Sequence, residues 1–156
     1  GAWDVAHQLA AYIKTQQYDL ILLGKETIDY NDSEVGATLA ELLDLPYSAL
    51  ASKLEMPSPN SAEVWRDIEG GVEKVGVQTP FVVSAQKGMA EQVIPNMQGI
   101  MASRRKPLAV LPPFDVETLT MAESFQLPPQ RSNVKLIDPE NPAELVRLLH
   151  EEAKVI

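Results

Sequence analysis

The sequence predicts an α/β fold with a parallel sheet, an antiparallel hairpin and an extended C-terminal arm, and three stretches carry the prediction. Leu20 to Leu23 is an apolar run that stops at Gly24 and gives way to a polar loop opening a helix. Val64 to Val77 places alternating residues on either side of Gly70-Gly71. From Pro112 to Arg131 periodicity is lost while large apolar residues continue.

Taken in order, a first helix runs from Ala2 to Gln17, with Val5, Ala6, Leu9, Ala10 and Ile13 on one face. Leu20 to Leu23 is too short and too apolar for an amphipathic helix and reads as a strand buried on both faces, the habit of parallel sheets. Gly24 ends it. Asp32 or Ser33 then caps a second helix whose apolar positions Val35, Leu39, Leu42 and Leu43 recur at helical spacing. The connecting residues Gly24, Lys25, Glu26, Thr27, Ile28, Asp29, Tyr30, Asn31, Asp32, Ser33, Glu34 and Val35 lie at the carboxyl end of a strand and the amino end of a helix. Unpaired N–H groups and the helix dipole favour an anion at such a place. An ordinary connection between a strand and a helix is the competing reading on geometry alone. Asp29, Asp32 and Glu34 repel a phosphate unless they face a ribose, a cation or solvent, and Lys25 is the only cation nearby.

Further along, Val64, Arg66 and Ile68 alternate with Trp65, Asp67 and Glu69, and Gly70-Gly71 is a favoured two-residue turn before Val72, Val75 and Val77. Pro80 to Ala85 is a second buried strand. A short helical stretch ends at Arg104-Arg105-Lys106-Pro107, a basic cluster placed either to favour a helix C-terminus or to steer a partner. The segment from Pro112 to Arg131 scatters Phe114, Val116, Leu119, Met121, Phe125 and Leu127 without a period, so it reads as an arm lying across another surface. Val134 to Ile137 is a short strand, and Pro142 opens a last helix carrying Leu145, Val146, Leu148 and Leu149.

Composition bounds the function. The chain has 156 residues, 45% of them hydrophobic, enough for one domain with a real core. A net charge of −9 speaks against nonspecific binding to nucleic acid or anionic membranes and points to soluble partners. With no cysteine there is no disulfide, Cys-based metal site or thiol chemistry. No apolar run approaches membrane-spanning length, and no targeting segment is visible. His7 and His150 lack neighbours at metal-ligand spacing, and Ser84 and Ser103 lack the setting of a hydrolase nucleophile. The start at Gly1 is that of a fragment or a processed product.

The loop resembles the adenine-nucleotide loop of the electron-transfer flavoprotein beta subunit, whose pattern runs Gly-Lys-Gln-Ala-Ile-Asp-x-Asp and, after a few polar residues, Gly. Gly24, Lys25, Ile28, Asp29 and Gly36 match it; Glu26, Thr27, Asn31 and Glu34 depart from it. Val64 to Glu73 is similar to the family's Val-Glu-Arg-Glu-Ile-Asp-Gly-Gly-Leu-Glu stretch, and Pro128-Pro129-Gln130-Arg131 to its C-terminal motif. The resemblance covers almost the whole chain and corresponds to roughly the C-terminal three-fifths of a typical beta subunit.

Several expectations follow from that resemblance. The fold is a sheet of the adenine-nucleotide alpha-hydrolase-like type, with residues 1–111 forming a partial nucleotide-binding domain and residues 112–156 an arm and helix packed on a partner subunit. Residues Gly24 to Val35 bind AMP or FAD, the FAD shared with or held by an alpha subunit. Met89, Ala90 and Glu91 dock a dehydrogenase such as acyl-CoA dehydrogenase, with Met89 in the place of an apolar anchor; a methionine folded back onto its own domain is the competing reading of that residue. The chain acts as an electron carrier, not a stand-alone catalyst, in a bacterial cytoplasm more than a mitochondrial matrix. Two other classes stay open: an adenine-nucleotide-binding enzyme or stress-type sensor on the same fold, and an interaction fragment that binds no nucleotide.

Overall fold

Short apolar runs and one long, weakly apolar strand build a five-stranded mixed sheet. A computed structural model describes residues 1–130 and 134–156. Its elements are α1 (Ala2–Ile13), β1 (Leu20–Gly24), α2 (Glu34–Leu43), β2 (Tyr47–Ser58), β3 (Ser61–Ile68), β4 (Gly71–Gln78), β5 (Phe81–Ala85), α3 (Met97–Ser103) and α4 (Pro142–Arg147), the last continuing as a π-helical turn over Leu148–Glu152. The strand order is β1-β5-β2-β3-β4. β5 pairs in parallel with β1 and β2, whereas β2, β3 and β4 pair antiparallel. By contact the chain divides into two compact units, Gly1–Met121 and Ala122–Ile156.

β2 joins the two halves of the sheet. Tyr47 and Ser48 pair with Val82 and Val83 of β5; after an irregularity between Ser48 and Ala51 the strand turns to β3, pairing Lys53 with Trp65 and Leu54 with Val64. Its residues are mostly small or polar, so it has no counterpart in the sequence pattern. On one face of the sheet, α1 and α2 bury Ala6, Ala10 and Leu39 with Ile21, Leu23 and Val35. On the other, Ala51, Ala62, Val64, Phe81 and Val83 form a second core against which Leu20, Leu54, Val77 and Met89 pack.

Several expectations need correction. β1 is an edge strand, not one buried on both faces: Leu22 is 53% exposed, because no described element covers that side of it. α1 stops at Ile13, not Gln17, where Thr15 turns its hydroxyl back to donate to the Tyr12 carbonyl. Ser33 holds the N-cap position of α2, but its side chain makes no capping hydrogen bond. The hairpin turn is Glu69-Gly70 and not Gly70-Gly71, since Gly71 already pairs with Ile68 and only Gly70, at φ +85°, needs left-handed backbone. Val134 to Ile137 forms no strand. Trp65 is half-buried on the sheet, where Lys53 and Lys74, its partners across the three strands, hold their ammonium groups 4.6 and 4.8 Å from the ring. Arg131 lies outside the described residues.

The segment after α3 begins by lying on its own domain. The Gln8 carboxamide donates to the Phe114 carbonyl and accepts from the Phe114 N–H, both at 2.8 Å, which reproduces a two-point backbone bridge. Trp3 Nε1 donates to the Glu117 carbonyl at 3.2 Å. In the C-terminal unit, Asn141 caps α4 with Pro142 at its first position, and Arg147 bridges Glu144 and Glu151, each at 2.8 Å.

Two outcomes follow. Gln8→Ala removes both hydrogen bonds to Phe114, a loss of about 1–2 kcal/mol for an exposed pair. Amide exchange at Phe114 then accelerates to the rate of an open chain; unchanged protection would mean that the strap is held elsewhere. The Arg147 guanidinium, by hydrogen bond first and charge second, holds the Glu144 carboxyl below its ordinary range. That pair therefore supports α4 fully at neutral pH and loses its support as pH falls through the lowered Glu144 value. In Arg147→Ala the Glu144 titration, followed by NMR, moves up toward that of an ordinary glutamate.

Candidate functional site

β1 delivers the chain at Gly24 to the edge of the helix-covered face, and α2 carries it back from Ser33. Between them the loop is closed by one backbone hydrogen bond, Thr27 N–H to the Asp32 carbonyl at 2.9 Å, with Asn31 in the left-handed region at φ +54°. That closure turns Thr27 and Asp32 inward. Thr27 Oγ1 and Asp32 Oδ1 are both buried without a hydrogen-bond partner among the described residues. It also pushes Ile28 and Tyr30 outward, leaving Ile28 fully exposed and Tyr30 mostly so.

Two depressions flank the loop. One, of about 200 Å³, lies between α1 and the start of α2 and is lined by Val5, Leu9, Leu23, Gly24, Lys25, Glu26, Thr27, Asp32, Ser33 and Val35. The second, of about 150 Å³, is bounded by the first turn of α1 with Thr27, Asp29, Tyr30, Asp32 and Val35. Thr27, Asp32 and Val35, the second residue of α2, line both. The first N–H groups of a helix have no partner within it, so a helix that lacks a side-chain cap leaves them for water or a ligand. The positive end of the α2 dipole lies at the same place.

The charges are mixed. Lys25 pairs with Glu26 at 3.4 Å, so the one cation of the loop is partly committed. The Tyr30 backbone N–H holds the Asp29 carboxyl below its ordinary range; the Thr27 hydroxyl acts the same way from beyond hydrogen-bond geometry. Asp29 is therefore ionised at neutral pH. An adenylate fits this donor set where its phosphate meets the helix amides and its hydroxyl groups meet the carboxylates, since a carboxylate accepts from a ribose hydroxyl and repels a phosphate.

Gly36 stands in the first turn of α2 for a different reason. It is buried, and a Cβ there would lie 2.7 Å from the Tyr47 hydroxyl oxygen and 3.1 Å from two ring carbons. Its role is close packing of helix on sheet, away from the loop.

The other predicted segment lies at the end of β5. Gly88 at φ +100° makes a turn in which the Met89 N–H donates to the Gln86 carbonyl. Met89 is half-buried against the core that contains Phe81 and Val83, while Ala90 and Glu91 are exposed. Val93 and Ile94, which the sequence reading passed over, are the exposed apolar residues of this segment. An adjacent β-branched pair in a polar stretch before Pro95 is the signal that marks them. Of the stretch from Gly24 to Val35, Ile28, Asn31 and Glu34 line neither depression while the other nine residues line one or both; Met89 to Glu91 form a separate segment. His7 stacks on Trp3 with ring centroids 4.0 Å apart, and no group of three metal-ligating side chains occurs among the described residues.

Comparison with known proteins accords with this geometry. Residues 1–116 match the model of the electron transfer flavoprotein domain. The chain is 39% identical over 165 residues to the electron transfer flavoprotein subunit beta of Bacillus subtilis, with 99% of this chain and 63% of that protein covered. It is 31% identical over 160 residues to the subunit beta of Homo sapiens, covering 99% and 61%, and 32% identical over 131 residues to that of Syntrophomonas wolfei, covering 83% and 52%. The chain therefore spans at most 63% of the length of these relatives. With a loop, a hairpin and a family model all in register, the chain belongs to the electron transfer flavoprotein domain family.

Proposed function

We propose that this chain is the greater part of an electron-transfer flavoprotein beta subunit, which holds AMP or FAD in the loop from Gly24 to Val35 and works with an alpha subunit. The observation that carries the proposal is an α2 amino terminus without a side-chain cap beside a recess lined by Thr27 and Asp32, residues whose Oγ1 and Oδ1 are buried without a partner among the described residues. The amides of Ser33, Glu34 and Val35 would meet the phosphate, Thr27 would donate to it, and Asp29 and Asp32 would accept from hydroxyl groups. A bound flavin supplies the redox chemistry; an AMP in the same place supplies none and acts as a structural ligand.

The sheet would then be of the adenine-nucleotide alpha-hydrolase-like type, with residues 1–111 as a partial nucleotide-binding domain and residues 112–156 as the arm that meets the alpha subunit. The exposed apolar residues Leu119, Met121, Phe125 and Leu127 support that role for the arm. Ala90, Glu91 and the side of Met89 left open would dock the dehydrogenase, of which acyl-CoA dehydrogenase is the type. No helix among the described residues is long and apolar enough to cross a membrane. The bacterial relative from Bacillus subtilis supports a bacterial cytoplasm over a mitochondrial matrix as the place of action.

Mass spectrometry of the nucleotide released from the purified full-length pair tests the reading: AMP or FAD supports it, and an assembled pair with neither defeats it. Thr27→Val gives a finer test. In nucleotide-free protein it leaves thermal stability equal or higher, because an unsatisfied buried hydroxyl is removed, while affinity for adenylate falls about tenfold. Lower stability with unchanged affinity would show that Thr27 serves the fold alone. At the docking segment, Glu91→Lys slows reduction by the dehydrogenase without changing nucleotide content. Met89→Asp does so with an added loss of stability, because Met89 leans on the core; equal reduction rates in both variants would remove this segment from the docking surface.

A further inference from the structure

The first turn of α2 is held over the sheet by a contact network that includes none of the loop residues. Gly36, its third residue, is buried against the ring of Tyr47 at the start of β2. The Tyr47 hydroxyl donates to Ser84 Oγ at 3.1 Å, and Ser84, 2% exposed near the end of β5, also accepts the Leu50 N–H at 3.0 Å. Leu50 pays for this bond with a left-handed backbone, φ +56°, at the irregularity where β2 parts from β5. A branched apolar residue rarely adopts that conformation unless its surroundings impose it.

These parts converge on one quantity, the height of the α2 amino terminus over the carboxyl ends of the parallel strands. Any side chain at position 36 would lift the helix or displace the Tyr47 ring, and displacing the ring breaks its bond to Ser84. The Ser84 hydroxyl, with both accepting positions taken by Tyr47 and Leu50, fixes the ring from below. An amide that donates to a phosphate prefers a nearly straight N–H···O angle and weakens steeply once that angle falls below about 120°. Helix height is therefore a setting for anion affinity as well as for packing.

We infer that Tyr47, anchored by Ser84 and admitted by Gly36, is a positioning residue for the phosphate end of the loop site. This rests on the reading that the loop takes an adenylate. Tyr47 lines neither recess, so it acts through α2.

The test compares AMP with adenosine on the full-length pair stripped of nucleotide, at a temperature well below the unfolding of every variant. Gly36→Ala weakens AMP binding about tenfold, although Ala is the better helix former, and leaves adenosine binding within twofold. Tyr47→Phe keeps the ring and loses its anchor, and weakens AMP binding alone by about threefold. Combining them removes the oxygen that lies closest to the new methyl group, so the double variant binds AMP better than Gly36→Ala does. A general loosening of the fold would weaken both ligands alike and overturn the inference, as would additive effects or unchanged AMP affinity in Tyr47→Phe. Thr27→Val separates the two claims. If the wild-type pair binds AMP and Thr27→Val weakens it while the Tyr47 and Gly36 variants do not, the loop reading stands and this inference falls; if the wild-type pair binds no AMP, the loop reading itself has failed.

Discussion

The close approach of α2 to the sheet at Gly36 is the constraint on which the remaining geometry depends. It seats the first turn of a 10-residue helix, without a side-chain cap, against Tyr47 at the start of β2, and so fixes the point to which the loop leaving Gly24 must run. In bridging it, the loop turns Thr27 and Asp32 inward and Ile28 and Tyr30 outward. A helix held farther off would leave the same residues as an open, hydrated connection. The same packing buries Leu39 and Ala40 against the sheet, so the apolar face of α2 provides the energy that keeps its polar end in place.

Sign of charge is the feature of this site that most needs explaining. The loop carries Glu26, Asp29, Asp32 and Glu34 against a single lysine, itself paired. A free phosphate would be repelled. An adenylate is different, because it presents hydroxyl donors as well as an anion, and carboxylates can accept from the former while helix amides donate to the latter. This division of labour needs the amides to be aimed well, since no side-chain cation makes up for a poor fit. Positioning of α2 thus matters more here than in a loop lined with lysine or arginine.

Much of this was legible in the residues, and the gaps have physical causes. The apolar run at Leu20 and the helical spacing of Val35, Leu39, Leu42 and Leu43 located β1 and α2, because each pattern is local. β2 was not legible: Ser48, Ala49, Ala51 and Ser52 have no strong strand preference, and the strand exists because β5 pairs with its first half from more than 30 residues away while β3 folds back on the rest. The hairpin was found but its turn was shifted by one residue, since two adjacent glycines do not say which of them takes the left-handed position. In the site, the position of the loop between the end of β1 and the amino end of α2 followed from sequence. The inward turn of Thr27 did not, since it depends on a loop closure that no residue pattern marks; for Met89 the residues left docking and packing on its own domain both open, and contact with the distant strands decides that it is half-buried.

The central claim is that the amides of Ser33, Glu34 and Val35 face the phosphate of a bound adenylate. Amide NMR of the full-length pair, titrated in turn with adenosine and with AMP, tests it directly. The account predicts that these three resonances move with AMP and stay in place with adenosine; equal movement with both ligands, or none with AMP, would contradict it.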